Sequence, residues 1–332
     1  MSELPESDRL EGWPHPREAR RVFGHEAAEA TLLKAVNGQM PHAWVFGGLK
    51  GIGKATLAWR LAKALLQRGR SRAALETLDS DPSHPAVRRL MAGAQADVLS
   101  LRRPADPKTG KIKNDLTVDE VRRLGEFYAR HAGEGGIRIA IVDSADNLNR
   151  NAANALLKTL EEPPPDSLLI LIAHRPRALL PTIRSRCRML TLSPLSDDEL
   201  STALGAVAPD MEQSTALVRM AAGSVGGALE LAAHDGPGLD AALRTIAARR
   251  GRDANAAHAL ANELAAAAAA PRFRLFLDRL QAGFAEGARL GDREALEAWK
   301  MTGDLARAED GLNIDKRSIV LRLLERYAAL AA

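Results

Sequence analysis

Short apolar runs alternate with helix-length segments from Arg21 to Leu192, and beyond Ser193 that alternation stops. The runs at 44–46, 97–101, 137–142, 168–173 and 189–192 are the strand candidates. Those at 137–142 and 168–173 are almost wholly apolar, as strands covered on both faces must be. Helical segments lie between the runs, so the pattern predicts βα units and a parallel sheet. Thr117 and Glu120 have the spacing of a capping box, just ahead of the apolar stripe begun by Val121 and Leu124, and mark a helix start. Between the second strand candidate and that helix, residues 102–114 form a Pro- and Lys-rich loop that reads as a solvated excursion.

After Ser193-Pro194 the pattern is helical. Residues 197–236 carry short helical patterns broken by Gly205, Pro209, Gly223 and Gly226-Gly227, as in a small helical domain. Gly236-Pro237-Gly238 reads as a boundary. The rest is helical to its close on Ile319, Leu323, Leu324 and Leu330, an amphipathic pattern that must pack against something. The predicted partition is 1–193, 194–237 and 238–332. The first twenty or so residues are polar and Pro-containing and read as an arm. The alanine run at 265–270, stopped by Pro271, reads as the end of a soluble helix. No internal repeat is visible.

A chain of 332 residues suggests two or three domains. With 46% hydrophobic and 27% charged residues it is globular, and its Ala- and Leu-rich, aromatic-poor composition favours helices. The net charge of +4 fits simple solubility and does not by itself indicate a nucleic-acid partner. Cys187 is the only cysteine, which excludes an intramolecular disulfide and a cysteine-based zinc site and fits a reducing cytoplasm. The amino terminus lacks the apolar core of a signal peptide, its acidic residues argue against a transit peptide, and no stretch reads as membrane-spanning. A cytoplasmic location is expected.

The chemistry is concentrated in two places. Trp44-Val45-Phe46 leads into Gly48-Leu49-Lys50-Gly51-Ile52-Gly53-Lys54 and then a helix, the strand–loop–helix order of a P-loop. Glycines there let backbone N–H groups converge on phosphate oxygens at a helix N-terminus. Lys54 takes the place of the phosphate-binding lysine, but the next position, where Ser or Thr holds Mg²⁺, is Ala55. Thr56 lies about 100° further round the helix and is a poor substitute. Second, the run 137–142 ends in Asp143, as a Walker B strand does, followed by Ser144. Serine cannot act as a base. Alone, Asp143 would be only a polar residue at a strand end. His42 and His174 read as core or loop residues, and Cys187 as packing.

Residues 154–164 read Asn-Ala-Leu-Leu-Lys-Thr-Leu-Glu-Glu-Pro-Pro, a helix with an apolar face stopped by a proline pair. This string resembles a signature of the clamp-loader branch of the AAA+ family. The resemblance extends in order through Phe23-Gly24-His25-Glu26, His42-Ala43-Trp44, Ile183-Arg184-Ser185-Arg186-Cys187, Ala222-Gly223-Ser224 and Asn313-Ile314-Asp315-Lys316-Arg317. It covers the chain from about Arg21 to Leu330. It implies an α/β AAA+ P-loop domain with a parallel sheet, a small helical lid and an all-α collar domain that joins those of other subunits.

The ATPase subunits of that family, tau and gamma, carry an intact Gly-Lys-Ser/Thr, an Asp-Glu pair and a lid arginine. The matching positions here are Ala55, Ser144 and Gly226-Gly227-Ala228, while Ser185-Arg186-Cys187 survives. That combination is similar to the family's non-hydrolysing subunit. The resemblance implies that Gly48, Gly51, Gly53, Lys54 and Asp143 are a nucleotide-site remnant and that Arg186 serves a neighbour's ATP in trans. Arg122 and Lys158 are the candidates for DNA contact, against the alternative of idle surface charge. Implied partners are tau/gamma and delta subunits, the sliding clamp and primer–template DNA, within the DNA polymerase III holoenzyme. No cofactor is required, ATP or ADP should bind weakly or not at all, and the zinc module of many relatives is not expected. The competing expectation is an active tau/gamma-type ATPase with an atypical P-loop. A P-loop kinase or helicase would leave 154–164 unexplained.

Overall fold

Five parallel strands form one sheet in the computed structural model, which describes residues 5–71, 73–130, 132–133, 136–249, 254–308 and 315–330. They are β1 (Ala43–Gly47), β2 (Val98–Arg102), β3 (Arg138–Asp143), β4 (Ser167–Ala173) and β5 (Arg188–Thr191), in the order β2-β3-β4-β1-β5. Helices α1 (Glu26–Asn37), α2 (Lys54–Arg68), α3 (Pro85–Met91), α4 (Val118–Ala129), α5 (Arg150–Glu161), α6 (Pro181–Arg184) and α7 (Asp197–Val207) belong to the same part of the chain. All five expected strands are present, each within a residue or two of its expected bounds.

Alternation along the central strands divides the core in two. Trp44 and Phe46 of β1, Ile139 and Ile141 of β3 and Ile170 and Ile172 of β4 pack with α1, α2 and α3. Ala43, Val45, Ala140, Val142, Leu169 and Leu171, their neighbours in sequence, pack with α4, α5 and α6. Burial on both faces is why these runs lack polar residues. Burying side chains of this size contributes about 1.5–3 kcal/mol each. The sheet ends at β5, where Met189 is partly exposed.

Local signals fix the helices. Glu120 reaches back to the Thr117 N–H (3.1 Å) at the start of α4, as the capping box predicts. Asn149 caps α5 by accepting from Ala152 N–H (2.9 Å), and Ser196 and Glu199 cap α7 reciprocally. Residues 102–114 contain an antiparallel bridge between Ala105 and Ile112.

The chain divides into two compact units. The first is Met1–Asp210 with Ala222–Gly227, and holds the sheet. The second is Met211–Ala221 with Ala228–Ala332. Its part of the chain holds α8 (Thr215–Ala221), α9 (Val225–Ala233) from Ala228 on, α10 (Gly236–Ala248), α11 (Ala254–Ala265), α12 (Ala270–Arg289), α13 (Arg293–Ala308) and α14 (Lys316–Leu330). The core of this second unit gathers Leu239, Leu243, Phe273, Phe276, Leu277, Leu280 and Phe284 with Leu323 and Leu324, so the carboxy-terminal apolar stripe packs within its own unit. No described helix is long and apolar enough to cross a membrane.

One local expectation changes, and two segments gain detail. Pro271 does not end a helix; it occupies the first turn of α12, where its missing N–H costs nothing. Gly236-Pro237-Gly238 is likewise a helix start, capped by Asp235, whose carboxylate accepts from Gly238 N–H (3.0 Å). The amino-terminal arm is docked. Lys63 donates to Ala19 O (2.7 Å), Arg60 bonds Arg20 O, and His15 is fully buried with its ring edge-on to Trp59. Asn313 and Ile314 lie outside the described residues.

Candidate functional site

The loop between β1 and α2 turns through three glycines with positive φ, Gly48 (141°), Gly51 (77°) and Gly53 (106°). Its carbonyls are held by donors from this chain. Lys54 Nζ donates to Gly48 O (2.8 Å) and to Leu49 O, and Ser224 Oγ donates to Lys50 O (2.8 Å). Gly226 N–H donates to Gly51 O (2.9 Å), and His25 Nε2 lies 2.6 Å from Ile52 O. The loop therefore keeps its bowl, with the lysine folded into it and residues 224–226 clamped over its tip. A methyl group at Gly51 would meet Ser224 Oγ at 2.5 Å and Gly226 Cα at 3.0 Å, and one at Gly226 would meet Gly51 Cα at 2.9 Å. In the sequence Gly226 stands only for a missing lid arginine; in the fold it is a close backbone contact with the loop.

Beside the bowl lie the ends of β3 and β4. Ser144 Oγ is 3.1 Å from His174 Nε2, and Asp146 accepts from the backbone N–H groups of His174 (3.0 Å) and Arg175 (3.2 Å). Burial pushes Lys54 down to about 8 against the opposing pull of Asp143 and Asp146. Burial, reinforced by the Asp8 charge, pushes Asp143 up to about 7. Burial and the Lys54 charge together push His174 down to about 4. All three groups are drawn toward their neutral forms.

The donor set does not fit Mg²⁺-ATP. Ala55 offers a methyl group, packed at the edge of the core, where a metal-holding hydroxyl would be needed. Ser144 stands where a general base would be, and its hydroxyl is engaged with His174. No catalytic step through a metal–nucleotide complex follows from these residues.

The arm adds carboxylates on the same side. Asp8, almost fully buried, pairs with His15 (3.1 Å) and Arg102 (3.3 Å), and Glu6 also pairs with Arg102. Arg102 is the register partner of Asp143. Glu6, Asp8 and His15 bring ligand atoms within 4.8 Å of one another, and Arg102 ion-pairs with both carboxylates, so the cluster latches the arm to β2. His15 Nδ1 accepts from Arg17 N–H (3.0 Å), which leaves Nε2 as the donor to Asp8.

The other candidates lie apart from the bowl. Arg186 follows α6; its Nη2 is 2.8 Å from Glu161 Oε1, and its Nη1 donates to Thr182 O (3.0 Å). Cys187 packs on the core beneath α5 and α6, and burial pushes its thiol up to about 12, so it is unreactive. Lys158 is exposed on α5. Arg122 is exposed on the adjoining α4 and pairs with Asp119 (2.8 Å). Sequence reasoning missed Asp8, His25, Ser224 and Glu161 as members of these groups. Only Ser224-Val225-Gly226-Gly227, a hydroxyl beside paired glycines, carried a local sign of close approach.

A strand–P-loop–helix unit in a five-stranded parallel sheet of order β2-β3-β4-β1-β5, followed by helices, is the α/β AAA+ P-loop architecture expected from the sequence. The family model described as DNA polymerase III, delta subunit, matches residues 25–196, just over half of the chain. The chain belongs to that family. It is similar to the delta-prime subunit of DNA polymerase III from Pseudomonas aeruginosa, 40% identical over 150 residues, 45% of this chain and 42% of that one. The delta-prime subunit from Escherichia coli K12 is 36% identical over 197 residues, 58% and 55% of the two chains. The subunit of the same name from Bacillus subtilis is 32% identical over 201 residues, 59% and 55%. The chain thus spans about half the length of the curated relatives it matches. A gamma subunit from Buchnera aphidicola is 28% identical over 189 residues, 56% and 48%.

Proposed function

We propose that this chain is a delta-prime-type subunit of a DNA polymerase III clamp loader that does not hydrolyse ATP and lends Arg186 to the ATP of a neighbouring subunit. The observation that carries this reading is the contrast between two places. Around Lys54 the metal-holding hydroxyl is replaced by Ala55 and the base by Ser144, whose hydroxyl engages His174. Arg186 meanwhile stands exposed in an intact Ser-Arg-Cys segment. A planar guanidinium set across a subunit boundary stabilises charge developing on the γ-phosphate oxygens, and such arginines contribute roughly a thousandfold or more in rate.

On this reading the partners are tau/gamma and delta subunits, the sliding clamp and primer–template DNA, and the site of action is the cytoplasm. The three-part division at 193 and 237, with a carboxy-terminal collar, belongs to the same proposal. Arg122 and Lys158, on adjoining helices, are the proposed phosphate contacts. The alternative is an active tau/gamma-type ATPase.

Nucleotide affinity and turnover of the isolated chain separate the two. The expected result is weak or absent ATP binding, no hydrolysis, and clamp loading left nearly intact by Lys54→Ala in the complex. Robust Mg²⁺-dependent turnover abolished by Lys54→Ala would establish the alternative.

A further inference from the structure

Glu161 is the last residue of α5 and is followed closely by Pro163-Pro164, which cannot continue the helix. Local structure gives a carboxylate no reason to be there. The C-terminal end of a helix carries partial negative charge, and an acidic side chain in the last turn is disfavoured. Nor is it one of α5's buried apolar positions, since half of its side chain is exposed. Among the described residues its ion-pair partner is Arg186, at 2.8 Å.

Arginine carries five N–H donors on a long, rotamer-rich stem. Unrestrained on a surface, the guanidinium would spend little time in any single pose. Here both terminal nitrogens are held: Nη1 by Thr182 O at 3.0 Å and Nη2 by Glu161 Oε1 at 2.8 Å. Each contact uses one N–H, so three of the five donors, the Nε–H among them, are left by these two bonds for an incoming anion. The backbone anchor comes from the α6 segment and the side-chain anchor from the rigid end of α5.

We infer that Glu161 is a positioning residue for Arg186, holding the guanidinium in the pose from which it meets a neighbouring subunit's phosphate. The inference rests on the arginine-in-trans reading of Arg186. Both side chains are at least one-third exposed, so the pair is a weak restraint that shifts the rotamer population rather than locking it. A restraint of that strength changes the poised fraction, and with it the rate, by a factor of about two to five. It leaves the chemistry and the neighbour's grip on ATP alone.

The test uses the complete complex of this chain with its own clamp-loader ATPase subunits, carrying Glu161→Ala, Glu161→Gln or Arg186→Ala, with DNA- and clamp-stimulated hydrolysis followed at saturating and limiting ATP. Glu161→Ala should lower kcat at the dependent site about two- to fivefold with KM for ATP unchanged. Glu161→Gln, which keeps an acceptor oxygen, should recover at least half of that loss. Both variants should assemble and unfold as wild type does, which a merely structural fastening of α6 to α5 would not predict. If Arg186→Ala slows hydrolysis strongly while Glu161→Ala is as fast as wild type, or faster, the positioning role is overturned and the arginine reading stands. Equal losses in Glu161→Gln and Glu161→Ala would overturn the hydrogen-bonded restraint. If Arg186→Ala has no effect, the reading beneath the inference fails with it.

Discussion

Replacing Gly51 by alanine tests the clamp over the P-loop directly. Gly51 sits at φ 77°, a conformation that costs an L side chain about 1–2 kcal/mol. The added Cβ would also meet Ser224 Oγ at 2.5 Å, Gly226 Cα at 3.0 Å and Gly227 N at 3.0 Å. Two of those atoms are backbone, so relief requires the 224–227 segment to move, at about 1–3 kcal/mol for overpacking. Movement would also loosen the Ser224–Lys50 and Gly226–Gly51 hydrogen bonds, worth about 1 kcal/mol each. The expected total is about 4–7 kcal/mol. Gly110 provides the control: its φ is 69°, and nothing lies within 4 Å of a Cβ built there, so Gly110→Ala should cost only the conformational part, about 1–2 kcal/mol. Urea unfolding of the two variants, followed by the fluorescence of buried Trp44 and Trp59, measures the difference. Equal midpoint shifts would show that the segment after Gly223 does not press on the loop.

Asp143 supplies a pH prediction. Between the ordinary value of 3.8 and about 7 the folded chain keeps a proton that the unfolded chain has lost, so this group makes stability fall as pH rises through that window. Asp143→Asn should therefore be more stable than wild type by about 1–2 kcal/mol at pH 8, the gain being held down by the loss of a counter-charge to Lys54 and vanishing near pH 4. Urea unfolding across that range would contradict this if the difference were independent of pH. Replacing Arg122 and Lys158 together by alanine should weaken DNA-stimulated hydrolysis and reduce the slope of log affinity against log salt by about 1–2, since each lost phosphate contact releases fewer counterions. An unchanged slope would mark them as idle surface charges.

What could be read from the chain follows from the range of the interactions. The strands were legible because burial on both faces removes every polar residue from 139–142 and 168–173, a purely local mark. The P-loop and the end of α5 were legible because glycine and proline act on their own backbone. The docked arm was not. Asp8 meets Ser100 and Arg102 more than ninety residues away, and no periodicity in either segment announces it. Arg60 and Lys63 of α2 carry no local mark of burial, yet the arm's backbone carbonyls cover them and both side chains are almost fully buried. Ser224 and Gly226 were visible as residues but not as contacts, since their partners Lys50 and Gly51 lie more than 170 positions earlier. The pairing of Glu161 with Arg186 was hidden in the same way, although both residues stand in motifs that the sequence singles out.

The central claim is that Arg186 acts on ATP this chain does not itself bind, and the most direct measurement is pre-steady-state ATP hydrolysis by a fully assembled complex in which only this chain carries Arg186→Ala. The account predicts normal folding and assembly, a loss of roughly a thousandfold at one of the ATP sites, and little rescue by Arg186→Lys, since an ammonium lacks the planar fork. Hydrolysis and clamp loading at wild-type rates in the assembled Arg186→Ala complex would contradict it.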